Sequence, residues 1–488
     1  MPVNSFESYP MSWRPVRTAL GPGPLYLALA AALEHDVRTG VLPPGTRLPP
    51  QRELADFLDI DFTTVTRAYG VCRAKGLVYG VTGRGTFVSA VPGITESADD
   101  DGLIDLGVVQ SFPEVGAAAV VAAAQKVLSR ETARRLFSYG DRDGLMRHRA
   151  AGRHWLARCG VDAPEDCIAV FPGVQGAIST ALLSVFGVGD AIAVDAFTYA
   201  NLLAFARLAG VRLVPVEGDA HGMNPEKLDE VAVRHGVRGA FLMPNCANPT
   251  TLTMTERRKD ELAEVASRRR LVVLEDDASL RQPSQRRKTL FSRLPESTVY
   301  LSGTTRLLAP GLRATYVCAP ESVRDRFLAG LHHAAIKASP LDAEILGELV
   351  LSGEAESILS AKAIEAAKAD RLFDGFFGCE CAGDCEPRLF RTVPLPGTSG
   401  RGQEIERQCR AAGVRVFHSD RFAVVRGAKD AFLRVSVSSA GGMSRLRRGL
   451  DALRDGICLQ LKPEVSHGDG SIVGSGSETR MRCVRMRP

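Results

Sequence analysis

The sequence predicts a small helical domain that ends in a β-hairpin, followed by a large α/β domain with a mostly parallel sheet. Three observations support this prediction. Apolar residues recur every three or four positions in the first 75 residues. A polar stretch, VPGITESADDDG, interrupts the chain at residues 91–102. Beyond it, short apolar runs alternate with amphipathic helical patterns, as they do in α/β folds.

The composition is that of an ordinary globular protein. Of the 488 residues, 45% are hydrophobic and 24% are charged, so a large packed core is expected. The net charge of +5 is too small to indicate nucleic acid on its own. Eleven cysteines at irregular spacing favour reduced thiols, and the most apolar stretch, residues 115–127, is shorter than a membrane span. We expect this stretch to form a buried helix, and we expect a cytoplasmic protein without a membrane partner.

Shifts in composition predict five segments. We expect an N-terminal extension at residues 1–20, the helical domain at 21–90, a linker at 91–102, the α/β domain at 103–461 and a disordered tail at 462–488. The tail is rich in Gly and Ser and then basic, a composition typical of disordered segments.

The first domain contains three predicted helices. They start near Leu25, Gln51 and Phe62, and the third ends at Gly76. Asp61 is placed to cap the third helix by accepting a hydrogen bond from the N–H of Thr64. The buried face of this helix has the i, i+3, i+4, i+7 spacing of an amphipathic helix. It comprises Val65, Ala68, Tyr69 and Cys72.

The opposite face of the third helix is polar near its start. It carries Thr63, Thr64, Thr66 and Arg67. Hydroxyl and guanidinium groups at the start of the second helix of a helix-turn-helix can read bases in the major groove. A hairpin follows, with Arg84 at its tip, where it could reach a phosphate. Periodicity alone leaves open a helical subdomain that has no role in DNA binding.

The string GVLPPGTRLPPQRELADFLDIDFTTVTRAY, followed by GLVYGVTGRGTFV, closely resembles the DNA-binding domain of the GntR family. The resemblance implies a winged helix-turn-helix that binds a double-stranded DNA operator. It assigns Arg47 and Arg52 to DNA phosphates and the third helix to bases. It assigns the wing tip to Gly83, Arg84, Gly85 and Thr86. One position departs from the pattern, because many members carry an Arg where this chain has Phe62.

The α/β domain resembles fold-type I aminotransferases, as found in the MocR/PdxR subgroup of GntR regulators. Motifs in family order are Tyr139-Gly140-Asp141, Phe171 to Ala177 (FPGVQGA), Phe197-Thr198-Tyr199, Asn245 to Met254 (NCANPTTLTM) and Leu274 to Asp277 (LEDD). The resemblance implies a smaller C-terminal subdomain and a pyridoxal phosphate site. In that site Gly173, Val174 and Gln175 would cradle the phosphate at a helix N-terminus, which favours anions. Tyr199 would pack on the ring, Asn248 would bind the phenolic oxygen and Asp276 the pyridine nitrogen.

The segment YLSGTTRLLAPGLR, residues 300–313, resembles the family pattern Y.ASLSK.LSPGLR without a gap. The lysine that forms the Schiff base falls on Arg306. Arginine stays protonated and cannot supply the neutral amine that attacks an aldehyde, so no catalytic residue is assigned. Ser279 replaces a family tyrosine. Arg313 resembles the phosphate-binding arginine, and Arg434 resembles the one that grips a substrate carboxylate, a role suited to a planar fork.

These resemblances favour a homodimeric regulator whose aminotransferase-like domain senses a small anionic metabolite. We expect pyridoxal phosphate to bind only noncovalently, if it binds at all. An active pyridoxal phosphate enzyme fused to a DNA-binding domain stays open as the alternative. We expect no metal site, since Cys379, Cys381 and Cys385 are only three ligands at irregular spacing.

Overall fold

The computed structural model describes residues 11–16, 23–38, 41–42, 46–74, 77–81, 85–88, 103–139, 144–278, 280, 288–378, 387–425, 427 and 430–458. The chain divides into two compact units, Met1–Asp101 and Gly102–Pro488. The expected linker at 91–102, the expected tail at 462–488 and the cysteines 379, 381 and 385 lie outside the described residues. No described helix is both long and apolar enough to cross a membrane.

The first unit consists of three helices and a hairpin. Its elements are α1 Leu25–Arg38, α2 Gln51–Leu58, α3 Phe62–Ala74, β1 Val78–Val81 and β2 Gly85–Val88. The two strands pair antiparallel. All four residues predicted for the inner face of α3 are buried. Trp13, which the sequence placed in an extension, is also buried in this core, and its Nε1 donates to Asp36 at 2.7 Å.

The cap of α3 differs in detail from the predicted one. Asp61 Oδ1 accepts from the N–H of Thr63 at 2.7 Å, whereas the N–H of Thr64 donates to the backbone oxygen of Asp61 at 3.0 Å. The side chain therefore reaches the nearer of the two free N–H groups, and the main chain satisfies the other. The helix still begins where the sequence indicates.

The strands of the second unit form two main sheets. Their bounds are β3 Ile104–Asp105, β4 Ile168–Phe171, β5 Ala191–Asp195, β6 Arg212–Val216, β7 Gly218–Asp219, β8 Gly222–Met223, β9 Val237–Leu242, β10 Val272–Asp277, β11 Thr298–Ser302, β12 Thr315–Cys318, β13 Phe390–Pro394, β14 Val414–Arg415, β15 Phe417–His418 and β16 Phe432–Ser436. The central sheet has the order β4-β12-β11-β10-β9-β5-β6, and β12 alone runs antiparallel to its neighbours. A smaller antiparallel sheet has the order β13-β16-β15.

Helices pack on this framework and bury both faces of the central sheet. They are α4 Ala117–Leu128, α5 Met146–Arg158, α6 Gly173–Ser184, α7 Ala200–Ala209, α8 Pro225–His235, α9 Glu256–Arg269, α10 Thr304–Leu307, α11 Glu321–Ala335, α12 Pro340–Leu351, α13 Glu354–Phe377, α14 Gly402–Ala411 and α15 Met443–Cys458. Strands buried on both faces explain why the predicted strands are continuous apolar runs instead of alternating ones. The predicted α/β class, with its mostly parallel sheet, is confirmed.

The helix predicted at residues 115–127 is present, but it is buried on one side only, so the expectation of a buried helix is wrong in part. α4 buries Ala123 and Val127, but Val121 is 55% exposed and Leu128 is 50% exposed. The helix packs on α12 along one side. Because half of its residues are alanine and three more are valine, its mean hydropathy is high although only one face is covered.

Candidate functional site

A glycine turn and an arginine form one end of the candidate site. β4 leads into α6, whose first residue, Gly173, has a φ of +73°. A Cβ at Gly173 would lie 2.7 Å from Nη2 of Arg313, so any other residue there would displace this guanidinium. Arg313 makes no side-chain hydrogen bond or ion pair within the described part of the chain. A cation beside free helix N–H groups fits an anion such as a phosphate.

Tyr199 links this turn to the rest of the cleft. Its hydroxyl donates to Oε1 of Gln175 at 2.7 Å, and Asn201 Nδ2 donates to the same oxygen at 3.0 Å. Burial raises the pKa of Tyr199, while the charge of Arg306 lowers it and that of Asp276 raises it. These electrostatic effects show that the phenol, the guanidinium and the carboxylate share one environment.

Asp276 is a buried carboxylate with an unused acceptor. It is only 3% exposed, and its Oδ1 has no hydrogen-bond partner among the described residues. Burial raises the pKa of Asp276 to about 6, although Arg306 acts in the opposite direction. An unpaired carboxylate oxygen in an enclosed site fits a ligand N–H or a cationic nitrogen.

Arg306 lies on the short helix α10, which follows β11. Its side chain is half-buried and makes no hydrogen bond or ion pair with the residues that the structure describes. Its charge nevertheless affects the pKa of Tyr199, of Asp276 and of Arg434. The guanidinium of Arg306 therefore acts electrostatically on all three of these side chains.

Arg434 closes the other end of the cleft. It is 5% exposed on β16, and its Nη1 donates to Oδ1 of Asn248 at 2.7 Å. Its Nη2 donates to the backbone oxygen of Gly107. The rings of Phe422 and Phe417 lie 4.7 and 5.5 Å from its guanidinium carbon. Burial, with repulsion from Arg306, lowers the pKa of Arg434 to about 9.

Two lysines of this unit have other partners. Lys337 donates to the backbone oxygen of Ser138 at 3.1 Å. Lys362 is fully buried and donates to the backbone oxygen of Leu308 at 2.8 Å, and burial lowers its pKa to about 8. The charges that shift the pKa of Asp276 include Arg306 but neither lysine.

Among the residues predicted for the effector site, the structure brings together Gly173 with Arg313, Gln175 with Tyr199, and Asn248 with Arg434. The glycine cradle with Arg313 fits a phosphate, and the orphaned oxygen of Asp276 fits a ring nitrogen. Sequence reasoning missed Asn201, Gly107 and the rings around Arg434. No local pattern marks these residues, because Gly107 and Arg434 are 327 positions apart.

In the first unit, the residues predicted to contact DNA lie around α3 and β2. Arg47, Arg52, Thr63, Thr66 and Arg67 are exposed. Thr66 Oγ1 donates to Oε1 of Gln51 at 2.8 Å, and the guanidinium of Arg67 stacks 4.1 Å from the ring centre of Tyr26. These two side chains are thus held by neighbours as well as facing solvent.

The guanidinium of Arg47 lies next to the first residue of β2. Gly85 has a φ of +116°, and a Cβ there would lie 3.1 Å from Nε of Arg47. Arg52 lies 5.8 Å from the ring centre of Phe62, which is 42% exposed. Thr86 lies in β2, whereas Gly83 and Arg84 are outside the described residues. Exposed arginines next to a polar helix face form a surface suited to DNA.

Comparison with known proteins agrees with both units. Residues 25–88 match the family described as bacterial regulatory proteins, gntR family, and residues 103–453 match aminotransferase class I and II. The helix-turn-helix-type transcriptional regulator YdeF of Bacillus subtilis is 33% identical over 460 residues, which are 93% of this chain and 98% of that one. The fold and the site therefore define a transcription regulator with an aminotransferase-like domain. The chain belongs to the gntR-type regulators that carry an aminotransferase class I and II domain.

Two further relatives are more distant. The vitamin B6 salvage pathway transcriptional repressor PtsJ of Salmonella typhimurium is 27% identical over 293 residues, covering 59% of this chain and 65% of that one. Among solved structures, alpha-aminoadipate aminotransferase from Thermus thermophilus, complexed with N-(5'-phosphopyridoxyl)-L-leucine, has a TM-score of 0.64 at 22% identity. The matched region covers 73% of this chain and 94% of the aminotransferase chain. This structural similarity shows that the second unit has the fold of the fold-type I aminotransferases.

Proposed function

We propose that the aminotransferase-like domain senses a small anionic ligand without catalysing transamination. The single observation that carries this proposal is the guanidinium of Arg306, which stands among Tyr199, Asp276 and Arg434. The sequence pattern of residues 300–313 aligns Arg306 with the Schiff-base lysine. An arginine there offers charge and hydrogen bonds, but no neutral amine at ordinary pH.

Pyridoxal phosphate or a derivative is the ligand class that the site fits. When bound in enzymes of this fold, pyridoxal phosphate supplies an electron sink for reactions at amino acids. In this chain, the Gly173 turn, with Val174 and Gln175, and Arg313 would hold a phosphate. Asp276 would accept from the ring nitrogen, and Tyr199 would lie against the ring.

Asn248 and Arg434, at the other end of the cleft, would make further contacts with the ligand. Asn248 has its Oδ1 engaged by Arg434, so its Nδ2 is left to donate to a phenolic oxygen. Arg434 would bind a carboxylate. A ligand with a phosphate and a carboxylate therefore fits a cleft in which three guanidinium groups outnumber the carboxylate of Asp276. The relation to a repressor of vitamin B6 salvage supports this chemical class.

The first unit binds an operator in this proposal. Arg47 and Arg52 contact phosphates, and Thr63, Thr64, Thr66 and Arg67 on α3 face the bases, with Gly83, Arg84, Gly85 and Thr86 as the wing. We further propose that the regulator acts as a homodimer, because a single helix-turn-helix usually gains specificity by pairing two half-sites.

Footprinting of the DNA upstream of the protein's own gene tests this function. The purified full chain is incubated with the DNA, with and without pyridoxal phosphate, and amino-group transfer from amino acids to 2-oxo acids is assayed in parallel. We expect a protected site whose occupancy changes with the ligand, and no transfer. Transfer above the rate of free pyridoxal phosphate would contradict the proposal, as would the failure of this chain to bind any duplex selected from random sequences.

A further inference from the structure

An aromatic ring is exposed at the start of α3. Phe62 is the first residue of this helix, and it is 42% exposed. Among the aromatic side chains that the structure describes in the first unit, this ring alone is exposed, and the others are buried or half-buried. Because contact between apolar area and water is unfavourable, a partner that covers this ring is bound more tightly.

Phe62 lies on the side of α3 that is turned away from the core. Thr66 lies one turn later on the same side, because residues four positions apart are neighbours on a helix surface. Its Oγ1 is 3.0 Å from the backbone oxygen of Phe62. Both residues are exposed, whereas Val65 and Tyr69 are buried. Phe62 therefore belongs to the same surface as the threonines that were assigned to the bases.

Two threonines on this surface use their hydroxyl protons inside the protein. Thr63 Oγ1 donates to Oδ1 of Asp61, and Thr66 Oγ1 donates to Oε1 of Gln51 at 2.8 Å. A hydroxyl has one proton, so neither threonine can donate to a base without first breaking this bond. The ring of Phe62, by contrast, can contact a base without the loss of a hydrogen bond.

The charges around the ring favour base edges over the DNA backbone as its neighbour. The guanidinium carbon of Arg52 lies 5.8 Å from the ring centre, so a phosphate bound by Arg52 brings the DNA strand next to the ring. The exposed carboxylate of Asp61, the residue before Phe62, repels a further phosphate at the ring itself. In the major groove, the apolar group that a base edge offers is the C5-methyl of thymine.

We propose that Phe62 determines sequence specificity by packing on the C5-methyl group of a thymine in the operator. Such a contact rests on the operator binding proposed above, and it assigns one base to one residue. Cytosine lacks this methyl group, and the purines present only hydrogen-bonding groups at the same edge. An aromatic hydrocarbon ring has no donor or acceptor for those polar edges, so it favours thymine over the other three bases.

Removal of a single methyl group from the DNA tests this contact. The full chain selects a duplex from random sequences, and each thymine of that duplex is then replaced in turn by deoxyuridine. Deoxyuridine keeps the base pair and lacks only the methyl group. At one thymine in each half-site, we expect the affinity of the wild type to fall about fourfold, which corresponds to one buried methyl group.

Phe62→Ala and Leu27→Ala form a matched pair of variants. Both side chains are apolar and exposed, and Leu27, at 45% exposure, lies on α1 instead of α3. We expect Phe62→Ala to bind the thymine and deoxyuridine duplexes equally, because the ring that covers the methyl group is gone. Leu27→Ala should keep the fourfold difference of the wild type.

The outcomes separate this contact from the operator binding on which it rests. If the chain selects no duplex, the proposed operator binding is wrong and the contact fails with it. If a duplex is selected but no deoxyuridine replacement lowers affinity, the contact with thymine is wrong and operator binding stands. A replacement that lowers affinity equally in the wild type and in Phe62→Ala would show that another side chain contacts the methyl group, and would also overturn the role of Phe62.

Discussion

Asp276 shows how burial changes the chemistry of a single residue. The pKa of this carboxyl is about 6 in the folded protein, against an ordinary 3.8. The neutral form is thus favoured by folding, so the contribution to stability is fully present below about pH 4 and is lost as the pH rises through about 6. A ligand nitrogen that donates to Oδ1 would offset this loss.

We therefore expect Asp276→Asn to stabilise the unliganded chain relative to the wild type at about pH 8 but not at about pH 4. The shift corresponds to about 3 kcal/mol at the higher pH. The measurement is the unfolding midpoint of both proteins across this range. Asp229→Asn is the control. Because Arg269 and Arg268 lower the pKa of Asp229, we expect this variant to be destabilised relative to the wild type at the higher pH. A difference between wild type and Asp276→Asn that does not change with pH would contradict the argument.

The Gly173 turn allows a test of the phosphate end. Gly173→Ala places a methyl group against Arg313 in a backbone conformation that alanine avoids. We expect pyridoxal phosphate affinity to fall at least about tenfold, one lost charge-assisted contact being worth about 1.5–3 kcal/mol. Calorimetric titration measures this loss. Gly311→Ala is the matched control, because a Cβ there meets nothing within 4 Å. Equal affinity in both variants would remove Gly173 from the site.

Arg306→Lys tests whether an amine at position 306 can react with the aldehyde of pyridoxal phosphate. The variant restores a primary amine, but the family tyrosine aligned with Ser279 is still missing. We expect at most a partial yield of a lysine adduct with pyridoxal phosphate after borohydride reduction, measured by peptide mass. A complete yield would show that Ser279 hardly matters, and no yield would show that position 306 does not face the aldehyde.

The elements of the fold were largely predictable, whereas the contacts between them were not. The runs CIAVF, AIAVDA, GAFLMP, LVVLEDD, STVYLS and ATYVCA each contain all or part of a strand of the central sheet, because strands buried on both faces consist of continuous apolar residues. β6 and the small C-terminal sheet were not predicted from periodicity. The strands β6 (RLVPV), β13 (FRTVP) and β16 (FLRVS) each contain an arginine, so they are not continuous apolar runs.

The candidate site shows the same division. Motif order was enough to predict Gly173, Tyr199, Asn248 and Asp276 as neighbours. The bond from Arg434 to Gly107 spans 327 positions and follows no motif. Similarly, the stacking of Arg67 on Tyr26 depends on how α3 packs against α1, which the sequence pattern of either helix does not contain.

At the level of α2 and α3, Arg52 and Thr66 should have different effects on DNA binding. Arg52→Ala should weaken binding to all duplexes by a similar factor and lower the salt dependence by about one phosphate contact. Thr66→Val, which also breaks the bond to Gln51, should change the preferred sequence. Binding to a selected operator and to random duplexes, at several salt concentrations, distinguishes them. Unchanged operator affinity in Arg52→Ala would contradict the proposed docking.

For the whole molecule, the two units have separate cores and a single chain connection. A ligand that changes operator affinity by some factor must have its own affinity changed by the operator by the same factor. This reciprocity distinguishes a sensing domain from an enzyme that happens to be fused to a DNA-binding domain. In the second case, the operator leaves ligand affinity unaltered.

The most direct test of a silent cofactor site is chemical labelling. The wild-type chain is treated with pyridoxal phosphate and then with borohydride, and any modified peptide is mapped by mass. A guanidinium in place of the reactive amine predicts retention of the ligand that dialysis reverses, with no lysine labelled in the cleft. Stoichiometric labelling of one lysine, Lys362 or Lys337 above all, would contradict the account and indicate a working cofactor site.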